Sequence, residues 1–468
     1  MTNCLSVRLL IAVLLCFCFT VLQMMTGNMG MAMVCMINQN DTIISNDSSL
    51  INWSPEEQGL VFSALSWGRM SMLLIGFLAD KLNAKLLLVL SLFVNMTSTF
   101  LIPSLADDGF SMVMAARFVL GVGEAILVPS VNSLLTRWFP PNERSLTLGM
   151  VTAGRQMGQL LILPTAGFLC DSTLLGGWPS IFYISALCAG VYTLVWLLLG
   201  ADKPEHHCFI SEHEQKNIRK LSELEQHCQK RRQRAVPWCS LLTSPTIWAS
   251  VVAVVCHEFP LMTLFNFLPQ YLRDVGGLRS TLRNGLFSAL PTGSLLAGKL
   301  LSSNFSGWLR GKEIQSVSVQ CKLFNAIAST GLAAFLALVT LDKCSCRPEI
   351  SVSMLCIALF FAGFHTPGCL SALVALAPAY SGAVTGLTFF FVSLCGIANP
   401  LLIKSIITTG AKDQWDLVFF GSAAVAAFPV VIFSLYGSSD VQWWARGQPN
   451  TPNTVHPDQE VAFVIEID

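Results

Sequence analysis

Charge is what this sequence has least of. Only 12% of its 468 residues are Asp, Glu, Lys or Arg, about half the share found in soluble globular domains. A water-facing surface of ordinary size is therefore excluded. The 28 basic and 28 acidic residues cancel, so there is no basic excess to hold a nucleic acid. No G-x-x-x-x-G-K-[ST] stretch is present, which excludes a P-loop ATPase motor. No zinc-type Cys/His spacing occurs, and no nucleophile, base and orienting group stand out. Neither an enzyme nor a resident cofactor or metal is expected.

Sixteen cysteines are present, but they point to disulfides only weakly. Cys16, Cys18, Cys188, Cys356 and Cys395 lie inside apolar runs, where a thiol is a small apolar filler. A bridge between Cys344 and Cys346 would be strained.

Apolar length is abundant. Residues 9–40, 86–106, 172–201, 235–257, 323–341 and 417–439 contain no Asp, Glu, Lys or Arg, and the uncharged run 351–403 is long enough for two crossings. A membrane-spanning helix needs about 20 mostly apolar residues. Spans are predicted at 9–34, 58–80, 85–106, 111–136, 145–169, 177–200, 246–270, 284–303, 316–341, 350–373, 379–404 and 415–437. The first is too long for the apolar part of a signal peptide, about 7–15 residues, and lacks a small-x-small cleavage site, so it reads as a retained helix. The fold class predicted is an all-α membrane protein of twelve transmembrane helices in two six-helix halves. Residues 1–200 form the first half, with a glycosylated loop at 35–57, and 246–437 form the second. A cytosolic linker at 201–245 lies between them, and a tail at 438–468 reads as disordered.

Basic residues set the orientation. With the N-terminus cytosolic, sixteen Lys and Arg fall in cytosolic segments and six on the opposite side. Both termini are then cytosolic. The loop after the first span carries three N-x-[ST] triplets, at Asn40, Asn46 and Asn52, and glycan addition faces the lumen or the exterior. The run "QKRRQR" (229–234) reads as a positive-inside anchor, with contact to anionic lipid as the alternative.

Two stretches carry a family resemblance. "GFLADKLNAK" (76–85) resembles the G-x-x-x-D-[RK] loop motif of the major facilitator superfamily, with Asp80 able to cap or ion-pair at a helix end. "RFVLGVGE" (117–124), Pro129 and "RWFPPNERS" (137–145) resemble the anion/cation symporters, the family of type I sodium–phosphate cotransporters, sialin and the vesicular glutamate transporters. "NWSPEEQG" (52–59) and "APAYSG" (377–382) sit where that family has like segments. The resemblance implies secondary active transport of a small anionic solute by rocking two halves. Sodium, protons or membrane potential would drive it. The lipid bilayer is the other partner; the oligomeric state is left open, with a monomer compatible with the reading. The plasma membrane or an endolysosomal or secretory-vesicle membrane would hold it.

Arg117 and Glu124 are seven residues apart, which at roughly 3.6 per turn puts them on one helix face about 10.5 Å apart along the axis. Inserting an arginine at mid-span costs about 2.5–3.5 kcal/mol, so both should face the cavity between the halves. The resemblance implies that Arg117 attracts the anion and that Glu124 takes up a coupling proton or changes partner. The alternative is a static ion pair that holds the bundle together. Arg69 and Arg155 are not expected from the family. Either could add positive charge to the cavity, and Arg155 could instead snorkel to the cytosol. His257 and Glu258 open the next candidate group. His257 stands where glutamate-transporting members carry arginine, and it reads equally as an interior hydrogen-bonded histidine. His365 reads as interior. Glycines 149, 154 and 158 with Pro164, and glycines 382, 386 and 396 with Pro400, punctuate two equivalent spans, as moving or closely packed helices would. Thr26, Phe62, Ala375 and Ala379 stand where family members carry charged or titratable groups. These losses favour a second reading, a non-transporting receptor or partner that kept the fold.

Overall fold

A computed structural model describes residues 7–37, 51–73, 75, 82–139, 141–172, 176–207, 210, 237–278, 280–312, 315–341, 348–377 and 380–445. Asp80, Asn40, Asn46, Ala379 and the run 229–234 lie outside them.

The chain is helical throughout. The first half comprises α1 (Val7–Gly27), α2 (Met29–Met36), α3 (Pro55–Arg69), α4 (Ala84–Ala106), α5 (Phe110–Trp138), α6 (Pro141–Asp171) and α7 (Pro179–Leu199). The second comprises α8 (Trp238–Leu242), α9 (Pro245–Asp274), α10 (Thr281–Gly311), α11 (Val317–Leu341), α12 (Pro348–Ala362), α13 (Ser371–Leu376), α14 (Ser381–Ile406) and α15 (Lys412–Tyr436). With α1–α2 and α12–α13 each counted as one interrupted span, and the five-residue α8 too short to cross, the two halves contain six crossings apiece.

Local chemistry sets the helix starts. Ser54 Oγ accepts from Glu57 N at 3.3 Å while Glu57 Oε2 accepts from Ser54 N at 2.7 Å, a capping box with Pro55 as the first helical residue. Asn83 caps α4 through the Leu86 amide, and Ser280 caps α10 through that of Arg283. Leu187, Leu198 and Leu435 are at least 66% exposed. Such an apolar exterior has no place in water and meets lipid.

Among the described residues, nine stretches are each long and apolar enough to cross a membrane by themselves. The other three helices of the twelve crossings, α3, α6 and α10, do not qualify alone. α6 and α10 are 31 residues long, and their polar residues face inward rather than to lipid: Gln156 and Gln159 on α6, and Asn284, Ser288 and Thr292 on α10, are buried.

The halves meet toward one end. Thr281 Oγ1 donates to the Gly167 carbonyl at 2.7 Å, and Arg273 NH1 donates to the Val34 carbonyl at 2.6 Å. A Cβ on Gly285 would stand 2.3 Å from the Leu163 carbonyl oxygen, and one on Gly59 would stand 3.3 Å from Lys404 Cβ. This end carries the loop after α2 and is termed the loop end. Cross-half contact continues to Ser66 and Gly396 on one seam and to Gln156 and Lys299 on the other. Past these levels Gly149, Gly382 and Gly386 meet nothing within 4 Å. The cavity thus opens at the end that carries the 201–245 linker.

Two glycines of the first punctuated span serve packing. A Cβ on Gly154 would meet the Cys16 carbonyl oxygen at 2.0 Å, and one on Gly158 that of Thr20 at 2.4 Å, so both let α6 lie directly on α1. The interruptions fall elsewhere. α1 and α2 break at Asn28. Between α12 and α13 the chain passes through a 3₁₀ turn (Gly363–His365) and a π turn (Thr366–Leu370), with Gly368 at φ −80° and ψ −105°. Such turns within a span often mark functional positions.

The weak expectation of disulfides needs one correction. Cys35 at the end of α2 is bridged to Cys170 at the end of α6. They are 135 residues apart, and only the α1–α6 packing brings them together. The five cysteines expected as fillers are free thiols.

Candidate functional site

Glycines set up the central cluster. Gly68 of α3 and Gly121 of α5 face each other so closely that a Cβ on Gly68 would stand 2.2 Å from the Phe118 carbonyl oxygen, and one on Gly121 would stand 2.1 Å from that of Leu65. This crossing places Arg69 beside Glu124. Arg69 Nε donates to Glu124 Oε2 at 2.7 Å, and Arg155 NH1 of α6 reaches Glu124 Oε1 at 2.9 Å. The carboxylate is 2% exposed, while the two arginine side chains are 25% and 31% exposed. One carboxylate is thus held between two guanidiniums that still reach open space. Arg155 does not snorkel to the linker end. It turns inward, with its guanidinium over the Phe19 ring at 4.9 Å.

Arg117 shares a helix with Glu124 but takes another partner. It is 1% exposed, and NH1 donates to the Thr26 carbonyl at 3.3 Å, at the α1–α2 break. Its Nε has no hydrogen-bond partner, and neither polar atom of the Asn28 side chain has one. A buried arginine therefore sits against the interrupted first span with part of its donor capacity unused.

A second cluster faces the first from the other half. Glu258 of α9 is half-buried. Its carboxylate lies within the fields of Lys299 of α10, Arg155 and Arg69. Lys299 Nζ is 2.9 Å from the Gln156 amide oxygen when that amide is oriented to donate to the Thr152 carbonyl. This contact bridges the halves at mid-depth. His257, beside Glu258, stacks on His365 with ring centroids 3.9 Å apart and planes within 5°. His257 Nδ1 lacks a hydrogen-bond partner. The pair joins α9 to the 3₁₀ turn after α12, close to the field of Lys299.

The structure therefore brings Arg69, Arg155 and Glu124 into direct contact, with Arg117, Glu258 and His257 around them. Among the described residues this region holds four cations, Arg69, Arg117, Arg155 and Lys299, against two carboxylates. Asn52 is exposed at the loop end. Asp80 lies outside the described residues. Arg137 NH2 donates to the Leu82 carbonyl at 3.3 Å, and Arg137 also pairs with Asp202. Lys299 and Lys404 were missed from the sequence. Lys404 is the single charge of α14, and Lys299 is the only one between Arg283 and Arg310 on α10; the signal was a lone lysine in an otherwise uncharged stretch.

Two six-helix halves around a cavity lined with ionisable groups, shut at one end and open at the other, define a membrane carrier of the major facilitator type. The chain belongs to that family: the model described as Major Facilitator Superfamily matches residues 14–400. Sialin of Homo sapiens is 30% identical over 94% of this chain and 91% of its own length. The probable small intestine urate exporter of Mus musculus is 29% identical over 87% and 81%. The fold matches the partially occluded inward-open xylose transporter XylE of E. coli with a TM-score of 0.68 at 11% identity, covering 92% of this chain and 97% of that one. Within the superfamily the chain is a member of the anion/cation symporter branch, a multi-pass membrane transporter and not an enzyme.

Proposed function

We propose that the chain moves a small organic or inorganic anion across the membrane by alternating access, and that Arg69 and Arg155 receive the anion in competition with Glu124. The observation that carries this reading is the clamp itself. A carboxylate with one oxygen on each of two guanidiniums occupies the place that a substrate carboxylate or phosphate would take. With four cations near two carboxylates, an anion entering the cavity offsets charge that the low-dielectric surroundings leave costly. Once displaced, Glu124 needs a new partner. A proton, a sodium ion or the membrane potential supplies the drive at that step. Arg117 holds the break in the first span and adds to the field that draws the anion inward. Glu258, Lys299 and His257 meet it from the second half.

The linker end is the cytosolic end in this reading, with the linker and both chain termini on that side. The sixteen-to-six basic bias supports it. So do the exposed Asn52 and the Cys35–Cys170 bridge at the loop end, since bridges persist in oxidising compartments. Names among the relatives suggest which anions to try: sialin, a urate exporter, an inorganic phosphate cotransporter and vesicular glutamate transporters.

The test is uptake by purified protein in liposomes. Labelled phosphate, urate, glutamate and sialic acid are each offered under separate sodium, proton and voltage gradients, with Arg117→Ala in parallel. Uptake of one anion under one gradient, lost in the variant, is expected. Absence of flux for every anion, from folded protein, would sink the proposal and favour the non-transporting receptor.

A further inference from the structure

A second basic group is buried at the closed loop end. Lys404 of α14 is 2% exposed. Its Nζ donates to Gln58 Oε1 at 2.6 Å and to Gln270 Oε1 at 2.7 Å, and stands 5.5 Å from the centre of the Phe267 ring. Both acceptors are neutral amides. Among the described residues no carboxylate touches the ammonium. Asp274, whose field reaches it, is engaged by Arg273 Nε at 3.3 Å and by Gln270 Nε2 at 3.2 Å.

Burying a charge on neutral acceptors is costly, and an apolar side chain of similar volume is often as stable or more so. A fixed seam gains little from Lys404. The seam, however, must part. Gln58 belongs to α3 of the first half, while Lys404 and Gln270 belong to α14 and α9 of the second. When the loop end opens, Gln58 departs with its half and the ammonium loses one acceptor to water. A small cleft already lies along this seam, lined by Gly30, Val34, Gln58, Phe62, Gln270 and Arg273 among others. Arg273 also spans the seam, through its bond to the Val34 carbonyl.

We propose that Lys404, with Arg273 beside it, is a separate binding site for the oxyanion of the transported solute on the loop face, free when the seam opens and covered by the neutral Gln58 amide when it shuts. This rests on the reading of the chain as an anion carrier. The amide is a weak placeholder, so an arriving carboxylate or phosphate displaces it and holds the seam apart. The seam closes once the anion has moved on to Arg69 and Arg155.

The test is sided transport. KM for the transported anion is measured from the loop face and from the linker face in vesicles of known orientation. Wild type is compared with Lys404→Met, Lys404→Arg and Gln58→Glu. Met fills the volume of the stem without the charge, so the fold is kept. Loss of one charge-assisted contact raises the loop-face KM by on the order of tenfold in Lys404→Met, with the linker-face KM changed by less than about twofold. Lys404→Arg restores most of the loop-face affinity. Gln58→Glu fastens the seam with a carboxylate and lowers turnover from both faces. An unchanged loop-face KM in Lys404→Met, or an equal rise from both faces, overturns this site and leaves the carrier reading standing. Wild-type protein that moves no anion from either face overturns both.

Discussion

Arg69 and Glu124 meet at 2.7 Å because the two helices that carry them touch backbone to backbone. Gly68 precedes Arg69, and Gly121 lies three residues before Glu124, so the ion pair and the helix crossing are one feature. A guanidinium brought this close to a carboxylate by packing does not depend on side-chain reach, which fixes the geometry of the clamp.

Alanine at Gly68 therefore acts on the ion pair through the backbone. Its Cβ would meet the Phe118 carbonyl oxygen at 2.2 Å and Gly121 Cα at 2.7 Å, and neither atom belongs to a flexible side chain. The helices must part, at a cost of about 1–3 kcal/mol. Gly68→Ala is expected to lower the thermal midpoint of the purified protein and to reduce anion flux together. A thermal shift assay beside the uptake assay checks this. Full flux at an unchanged midpoint would show that the crossing does not position Arg69.

Removing the charge of Glu124 separates affinity from drive. Glu124→Gln keeps the shape of the side chain but gives up its competition with the incoming anion for Arg69 and Arg155. Apparent anion affinity is expected to rise, by roughly 10-fold for about 1.4 kcal/mol of lost competition. Accumulation against a gradient is expected to fall toward simple equilibration. Competition binding and net uptake on one preparation give both quantities. A variant that accumulates anion like wild type would remove Glu124 from the coupling step.

The Cys35–Cys170 bridge gives a test of orientation that does not involve transport. An impermeant maleimide applied from the non-cytosolic side of the membrane is expected to label these two residues only after a reductant has opened the bridge, in a background where the free thiols are replaced. Cys35→Ser with Cys170→Ser is expected to cost about 2–5 kcal/mol of stability. Labelling from the cytosolic side instead would reverse the assignment of cytosolic and external ends.

The twelve crossings were legible because lipid imposes length and apolarity on each segment separately. The predicted span 85–106 and the helix Ala84–Ala106 differ by one residue at one end. Arg117 and Glu124 stood out for the same reason, as charges with no cheap place in a bilayer. Their partners did not stand out, because pairing is a property of packing. Spacing along α5 suggested Arg117 as the neighbour of Glu124, whereas the close α3–α5 crossing and the inward turn of α6 supply Arg69 and Arg155. Lys404 sits near a span end, where a lysine ordinarily reaches for water. Its burial depends on Gln58 and Gln270, two residues of other helices. The break at Asn28 carries no proline or charge, and the Pro367-Gly368 pair of the π turn after His365 does not by itself distinguish it from Pro103, Pro129 and Pro164, which lie inside continuous helices.

The seam between α6 and α10 yields the last prediction, on conformational balance. Gly285 packs against Leu163 and Pro164, with its Cβ position 2.3 Å from one backbone oxygen and 3.2 Å from the Pro164 Cα. Gly285→Ala drives a wedge into contacts that exist only while the loop end is shut. At the other end Gly149 faces open space in that same state. A cysteine placed there in a thiol-free background reports opening at the linker end. The wedge is worth about 1–3 kcal/mol, enough to shift a two-state balance by roughly 5- to 150-fold. Labelling of Gly149→Cys from the linker face is expected to slow, by at most a factor in that range, when Gly285→Ala is added. An unchanged labelling rate with normal folding would mean that the α6–α10 seam stays together in both states and that the halves separate along α3 and α14 alone.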